Sequence, residues 1–284
     1  MSSILFGPAG NSESFSAMGY KSNVDIPLYL EKFGLNAFEY QCGRGVKISE
    51  ASAQAFGEVM KNANIQVSMH APYYISMSGL VEETRLNSVM YMLQSATALK
   101  AMGGKRIVFH AGSCGKQTRQ QALSLALDTM KRIIEAFDEN GFSDMIPCPE
   151  VMGKINQIGT VEEVLGLCKV DDRITPCIDF GHLNARTGGG LTRKEDFAKV
   201  LDEIAGTLQD KRAKSFHVHF SKIEYTVSGE RRHLTFEDKE FGPNYEPFLE
   251  LCSERNLNPT IICESAGTQA EDATKMKLYF ESII

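Results

Sequence analysis

The chain has 284 residues, 43% of them hydrophobic and 23% charged, a composition that excludes disordered and fibrous classes and gives length enough for a sizeable core. No apolar run approaches the roughly 18 residues of a membrane span, and the first residues, MSSILFGPAGNSESF, lack the basic start and apolar stretch of a secretory signal. The seven cysteines are odd in number and lack a CxxC pair, so a reducing, cytoplasmic setting is expected, with neither a disulfide framework nor a structural zinc knuckle.

In chain order, short apolar or β-branched runs predict strands at 3–6, 37–40, 66–69, 106–109, 145–148, 174–178, 215–220 and 260–263. Helical patterns with apolar residues three and four apart lie between them, most plainly over 86–99 and 121–137. Eight strands alternating with helices in one uninterrupted chain predict an α/β fold, a single-domain (β/α)8 TIM barrel spanning residues 1–284. A doubly wound open sheet competes, but FGPAGNSES is a poor match to the glycine-rich phosphate loop such a fold carries after its first strand. The fifth strand sits awkwardly with Pro147 and Pro149, each of which removes a ladder donor. The spacing nevertheless demands it.

All six histidines fall outside the predicted helices. His70 ends QVSMH, His110 ends RIVFH, and His182 follows CIDFG. His217 and His219 share one side of FHVHF, and His233 lies in the basic loop beyond. Glu150, Asp179 and Glu264 likewise end runs that should be buried, where carboxylates are rare unless paired or bound to metal. A lone strand-end histidine is usually a hydrogen-bonded structural residue, and a strand-end acid often caps the next helix, as Glu264 before Ser-Ala-Gly is placed to do. So many such groups, at six of eight strand ends that share one barrel rim, argue jointly for metal binding. Imidazoles and carboxylates without thiolates suit Zn²⁺, with Mn²⁺ or Fe²⁺ as alternatives. The set exceeds the needs of one ion, so two or three are expected. Phosphate ester hydrolysis is the leading chemistry.

The ordered series MHAPYY, VFHAGS, PCPEV, CIDFGH, FHVHFSK, RRH and CESAG resembles the endonuclease IV family, metal-dependent AP endonucleases built on this barrel. The likeness runs over most of the chain. It implies that His70 and His110 hold one zinc, that Glu150 bridges it to a second held by Asp179, His217 and Glu264, and that His182 and His233 hold a third. It implies cleavage of duplex DNA 5′ to abasic sites by a metal-bridged hydroxide, as in base excision repair, with Glu150 and Glu264 catalytic. Tyr73 matches a tyrosine that occupies the gap opened in the duplex.

Three positions depart from the family pattern. Arg231 stands where the third site has an aspartate, and a guanidinium cannot ligate a divalent ion. Glu230 substitutes, or the third site is weak, or it is absent and Arg231 contacts phosphate. Ala71-Pro72 follows His70 where an acid is common, and His219 replaces an asparagine, as a ligand, a phosphate donor or a structural residue. The runner-up is a sugar isomerase or epimerase of the same superfamily, with one ion on Glu150, Asp179, His217 and Glu264. It has no need of His70, His110, His182 and His233. A non-catalytic metal-binding or damage-sensing module is the third reading.

Net charge is −6, yet windows 41–48, 101–120, 183–194 and 211–233 together carry +13. All four are expected at or near the ligand-bearing rim, as a phosphate-binding surface requires. No Trp and no stacking platform are present, so base-specific reading is not expected. A monomer is the expected state. The cysteines, Cys148, Cys177 and Cys263 among them, are expected to pack rather than ligate.

Overall fold

The computed structural model describes residues 4–284, so Ser3 of the first expected strand lies outside the described residues. The strands are β1 Leu5–Pro8, β2 Ala37–Gln41, β3 Gln66–His70, β4 Arg106–Phe109, β5 Ile146–Pro149, β6 Cys177–Asp179, β7 His217–Phe220, β8 Lys222–Thr226, β9 Gly229–Leu234 and β10 Thr260–Cys263. Two parallel four-stranded sheets form, in the orders β2-β3-β4-β5 and β1-β10-β7-β6. Parallel bridges Ala9–Glu39 and Glu150–Cys177 join their edges and close the (β/α)8 barrel. Every expected barrel strand is there, with ends displaced by at most three residues, at the sixth.

The outer helices follow from patterning and caps. The helix Arg119–Glu139 buries Ala122, Ala126, Met130, Ile133 and Phe137, a stripe at three- and four-residue spacing that faces the barrel. Thr118 opens it by accepting from the Gln121 amide, and Gln121 reaches back to the Thr118 amide. Thr160 and Glu163 repeat the device at Val161–Cys168. Both expected helical segments lie inside longer helices, Glu82–Ala101 and Arg119–Glu139.

The prolines of β5 sit where they cost least. The Ile146 and Glu150 amides donate to Lys105 O at 2.8 Å and Phe109 O at 3.1 Å, both toward β4. Amides alternate in direction along a strand, so positions 147 and 149 face β6 instead. That side is the sheet edge, joined to β6 by the single bridge at Glu150.

The antiparallel hairpin β8–β9 forms where the sequence pattern suggests a loop. Its turn ends on Gly229, whose φ of 92° suits glycine. A Cβ there would lie 2.1 Å from Gly153 O, so the hairpin packs directly on the loop after β5. Backbone bonds fix the contact, from Glu230 N to Gly153 O at 3.2 Å and from Ile155 N to Ser228 O at 3.2 Å.

The charge windows also need correction. Lys105 precedes and Arg106 begins β4, and Lys211, Arg212 and Lys214 precede β7, so all five belong to the opposite end of the barrel from the histidines. Arg106 spans that floor, donating to Thr260 Oγ1 at 2.8 Å and to Ser215 O at 2.9 Å. Arg212 donates to Cys168 O and Ile174 O. Arg119 and Arg186 are at the expected end, but their guanidiniums tie down carbonyls of the 152–157 loop. All seven cysteines are buried free thiols. Among the described residues, no helix is long and apolar enough to cross a membrane.

Candidate metal centre

Parallel strands deliver their last residues to one mouth, and three adjoining clusters form there. In each, the ligand atoms lie within 4.8 Å of one another. The first joins His70, the last residue of β3, with His110 and Glu150, which immediately follow β4 and β5. Glu150 Oε2 lies 3.3 Å from His70 Nε2 and 3.0 Å from His110 Nε2. His70 donates from Nδ1 to Ala71 O at 2.9 Å, which leaves Nε2 as its ligating atom. Tyr73, more than half exposed, stacks on the His110 ring with centroids 5.3 Å apart and planes at 19°.

The second cluster is Glu150, Asp179, His219 and Glu264. Glu150 Oε1 is 3.0 Å from His219 Nδ1, and Glu264 Oε1 is 3.5 Å from the same nitrogen. Here the structure corrects the sequence reading. His217, expected in this set, is one layer deeper. Barrel register pairs His219 with Asp179 and Ile262, whereas His217 pairs with Cys177 and Thr260. Two residues along a strand is about 7 Å, enough to take His217 out of the mouth. Its Nε2 instead meets Glu39 Oε2 at 2.9 Å, and burial pushes its pKa down to about 4.

Asp179, rather than Glu264, is the helix-capping acid. Its Oδ1 accepts from the His182 amide at 2.7 Å and opens a short helix, Phe180–Arg186, that puts His182 in its first turn. His182 therefore lies on a helix after all.

The third cluster is His182, Glu230 and His233, with Glu230 Oε2 3.4 Å from His182 Nε2. His182 donates from Nδ1 to Val151 O at 3.0 Å, and Ser221 Oγ lies 2.9 Å from His233 Nδ1. The hairpin carries both Glu230 and His233 to this place. Of the alternatives open for the third site, the structure brings Glu230 to the histidines. Arg231 does not reach them; it and Arg232 pair with Glu224 on the hairpin's exposed side. Gly153 makes the room, because a Cβ there would lie 2.5 Å from Glu230 Cβ and 3.0 Å from His182 Cδ2.

Glu39 is the residue that sequence reasoning missed. It is a lone acid between Phe38 and Tyr40 in a predicted strand, the same signal that drew attention to Glu150.

These residues fit divalent cations. The donors are nitrogens and oxygens of the type borderline and hard cations take. Asp179 Oδ2, fully buried, accepts no hydrogen bond. Burial pushes Glu150 up, but His219, His110 and His182 around it outweigh that and hold it well below the usual range. Burial opposes protonation of His182, yet Asp179, Glu150 and Glu230 raise it well above an ordinary histidine. The carboxylates that face His182 are groups a divalent cation would also engage, releasing the proton as it enters.

A family model described as xylose isomerase-like TIM barrel matches residues 28–280. The chain belongs to this family. An uncharacterized protein of Methanocaldococcus jannaschii is 33% identical over 98% of this chain and 97% of its own length. The probable endonuclease 4 of Acholeplasma laidlawii is 27% identical over 66% of this chain and 62% of its own. Among solved structures, endonuclease IV from Thermus thermophilus aligns with a TM-score of 0.69 at 19% identity, covering 92% of this chain and 94% of that one. A D-tagatose 3-epimerase-like protein aligns equally well, at 0.69 and 18% identity over 92% and 96%. Structural likeness within the family thus reports the barrel alone, while the sequence matches extend to the endonuclease 4 relatives.

Proposed function

We propose that this protein is a metal-dependent phosphodiesterase that cleaves duplex DNA 5′ to abasic sites, using two or three zinc ions, with manganese or iron as alternatives. The carrying observation is the pair of histidine-rich clusters, His70–His110–Glu150 and His182–Glu230–His233, that flank the central carboxylates. A one-ion sugar enzyme has no need of the four histidines in them. Bound divalent ions supply activation of water near neutral pH and charge stabilisation at phosphorus.

The protein's own groups set the geometry. Glu150 joins the first two clusters through its separate oxygens. Glu264 links the second to the third, with Oε1 3.5 Å from His219 and Oε2 4.0 Å from His233. These two are the proposed catalytic carboxylates, and His219 takes the ligand place expected of His217. Tyr73, stacked on His110 at the rim, is placed to fill the gap beside an extruded abasic sugar. Exposed Arg44, Lys47, Lys116 and Lys154, in loops that follow barrel strands, are the proposed contacts to backbone phosphates.

The second reading rests on the central cluster. Glu150, Asp179, His219 and Glu264 alone would suit a one-ion isomerase or epimerase acting next to a sugar carbonyl. A nicking assay on duplex DNA with a single abasic site, with and without chelator, tests the proposal. Chelator-sensitive strand cleavage is expected. An intact duplex, with turnover of ketohexoses instead, would establish the second reading.

A further inference from the structure

Glu39 lies at the middle of β2, fully buried inside the barrel and below the mouth. Burying a carboxylate costs several kcal/mol unless it is well partnered, and this one has three hydrogen-bond partners and a further charge contact. Ser68 Oγ donates to Oε2 at 3.0 Å, and His217 Nε2 is 2.9 Å from the same oxygen. Gln41 Nε2 donates to Oε1 at 3.2 Å, and His219 Nε2 lies 3.0 Å from it as a charge contact outside hydrogen-bond geometry. The His219 ring therefore stands between two carboxylates, Glu39 below at Nε2 and Glu150 above at Nδ1.

We propose that Glu39 is a positioning residue: its charge, 3.0 Å from His219 Nε2, favours a proton on that nitrogen and so presents Nδ1 to Glu150, Asp179 and Glu264 as the ligating atom. This rests on the reading of that cluster as a metal site. A carboxylate behind a ligating imidazole orients the ring and raises its basicity. The assignment also explains why two histidines on one face of β7 have different work. His217 occupies the other oxygen of Glu39 and completes its partnering, which leaves His219 as the ring that reaches the mouth. The alternative use of His219 is downward, since Cys177, His217 and His219 also bring ligand atoms within 4.8 Å of one another.

Zinc competition titrations of the wild type and Glu39→Gln test the proposal, with folding checked by circular dichroism. One zinc equivalent should weaken by about 10–100-fold in the variant while the others stay within about two-fold. Every equivalent staying within about two-fold in a folded variant would overturn it. Nitrogen-15 NMR of histidine-labelled, zinc-loaded wild type needs no variant to fold. His219 should be protonated at Nε2 and metallated at Nδ1, and the reverse would overturn the proposal. A thiolate-to-cobalt band in the cobalt-substituted protein would place an ion against Cys177 and overturn it too. A wild type that takes up no zinc would sink the metal reading along with the proposal, whereas tight wild-type uptake with an unchanged variant sinks the proposal alone.

Discussion

Glu150 presents one oxygen to His219 Nδ1 at 3.0 Å and the other to His110 Nε2 at 3.0 Å, so a single buried carboxylate serves two clusters. Glu150→Gln keeps the volume but replaces an anion with a neutral amide among the imidazoles of His70, His110, His182 and His219. Loss of even an outer partner of a metal site costs about 10–100-fold, so abasic-site nicking should fall by at least the upper end of that range. Bound metal should fall with it while the far-ultraviolet circular dichroism is unchanged. Retained nicking would refute the assigned role.

His110 separates the two chemistries. It belongs to the first cluster and meets the Glu150–Asp179–His219–Glu264 set only at the shared Glu150, 3.0 Å away. His110→Ala should abolish nicking, by about 100-fold or more, if the protein is a nuclease. A one-ion epimerase should tolerate the change. Steady-state rates on abasic duplex and on ketohexoses, measured side by side, decide between them.

The third cluster depends on a missing side chain. A Cβ at Gly153 would lie 2.5 Å from Glu230 Cβ, and the loop it belongs to is held by backbone bonds to the hairpin. Gly153→Ala should displace Glu230 from His182, remove one metal equivalent and destabilise the fold by about 1–3 kcal/mol through overpacking. Metal content and urea unfolding check the two effects separately.

The barrel was legible because its strands are short apolar runs at regular spacing, and even the prolines of β5 fit once β5 and β6 are seen to meet at a sheet edge. The mouth was legible because strand-end acids and histidines are too many together for helix capping and structural hydrogen bonds to account for each one. Register within β7 was not. His217 and His219 share a face, and only their levels against Cys177 and Asp179 tell them apart. The hairpin that delivers Glu230 and His233 is masked by its charged residues, although the Ser228-Gly229 turn between polar and apolar alternations is a usable signal. The basic windows divide between the two ends of the barrel because residues that open a parallel strand lie at the far end from those that close it.

The loop under the third cluster is also held by Glu163, which accepts from the Gly159 amide at 2.8 Å, the Thr160 amide at 2.9 Å and Arg119 at 2.7 Å. Burial pushes this carboxyl up, but the two amides and the guanidinium outweigh it and lower its pKa. A lowered folded-state pKa adds stability that is present above the unfolded value, about 4.3, and is lost as pH falls through the folded one. Glu163→Gln should therefore cost about 1–3 kcal/mol at neutral pH, and the gap from wild type should close below about pH 4. Urea unfolding at both pH values measures it.

If the proposed DNA-cleaving reading holds, phosphate contact by exposed rim cations makes the DNA affinity salt-dependent. Each neutralised phosphate adds about 0.9 to the slope of log affinity against log salt. Arg44→Ala and Lys116→Ala should each reduce that slope by about one, with little effect on metal content. Fluorescence anisotropy on an abasic duplex across a salt series gives the slopes.

Elemental analysis of the purified, chelator-washed and zinc-reconstituted protein counts the ions that the three adjoining clusters are proposed to hold at once. Two or three tightly held equivalents per chain are expected, falling in Glu150→Gln. A single equivalent, unaffected by loss of His110, or none at all, would contradict the account.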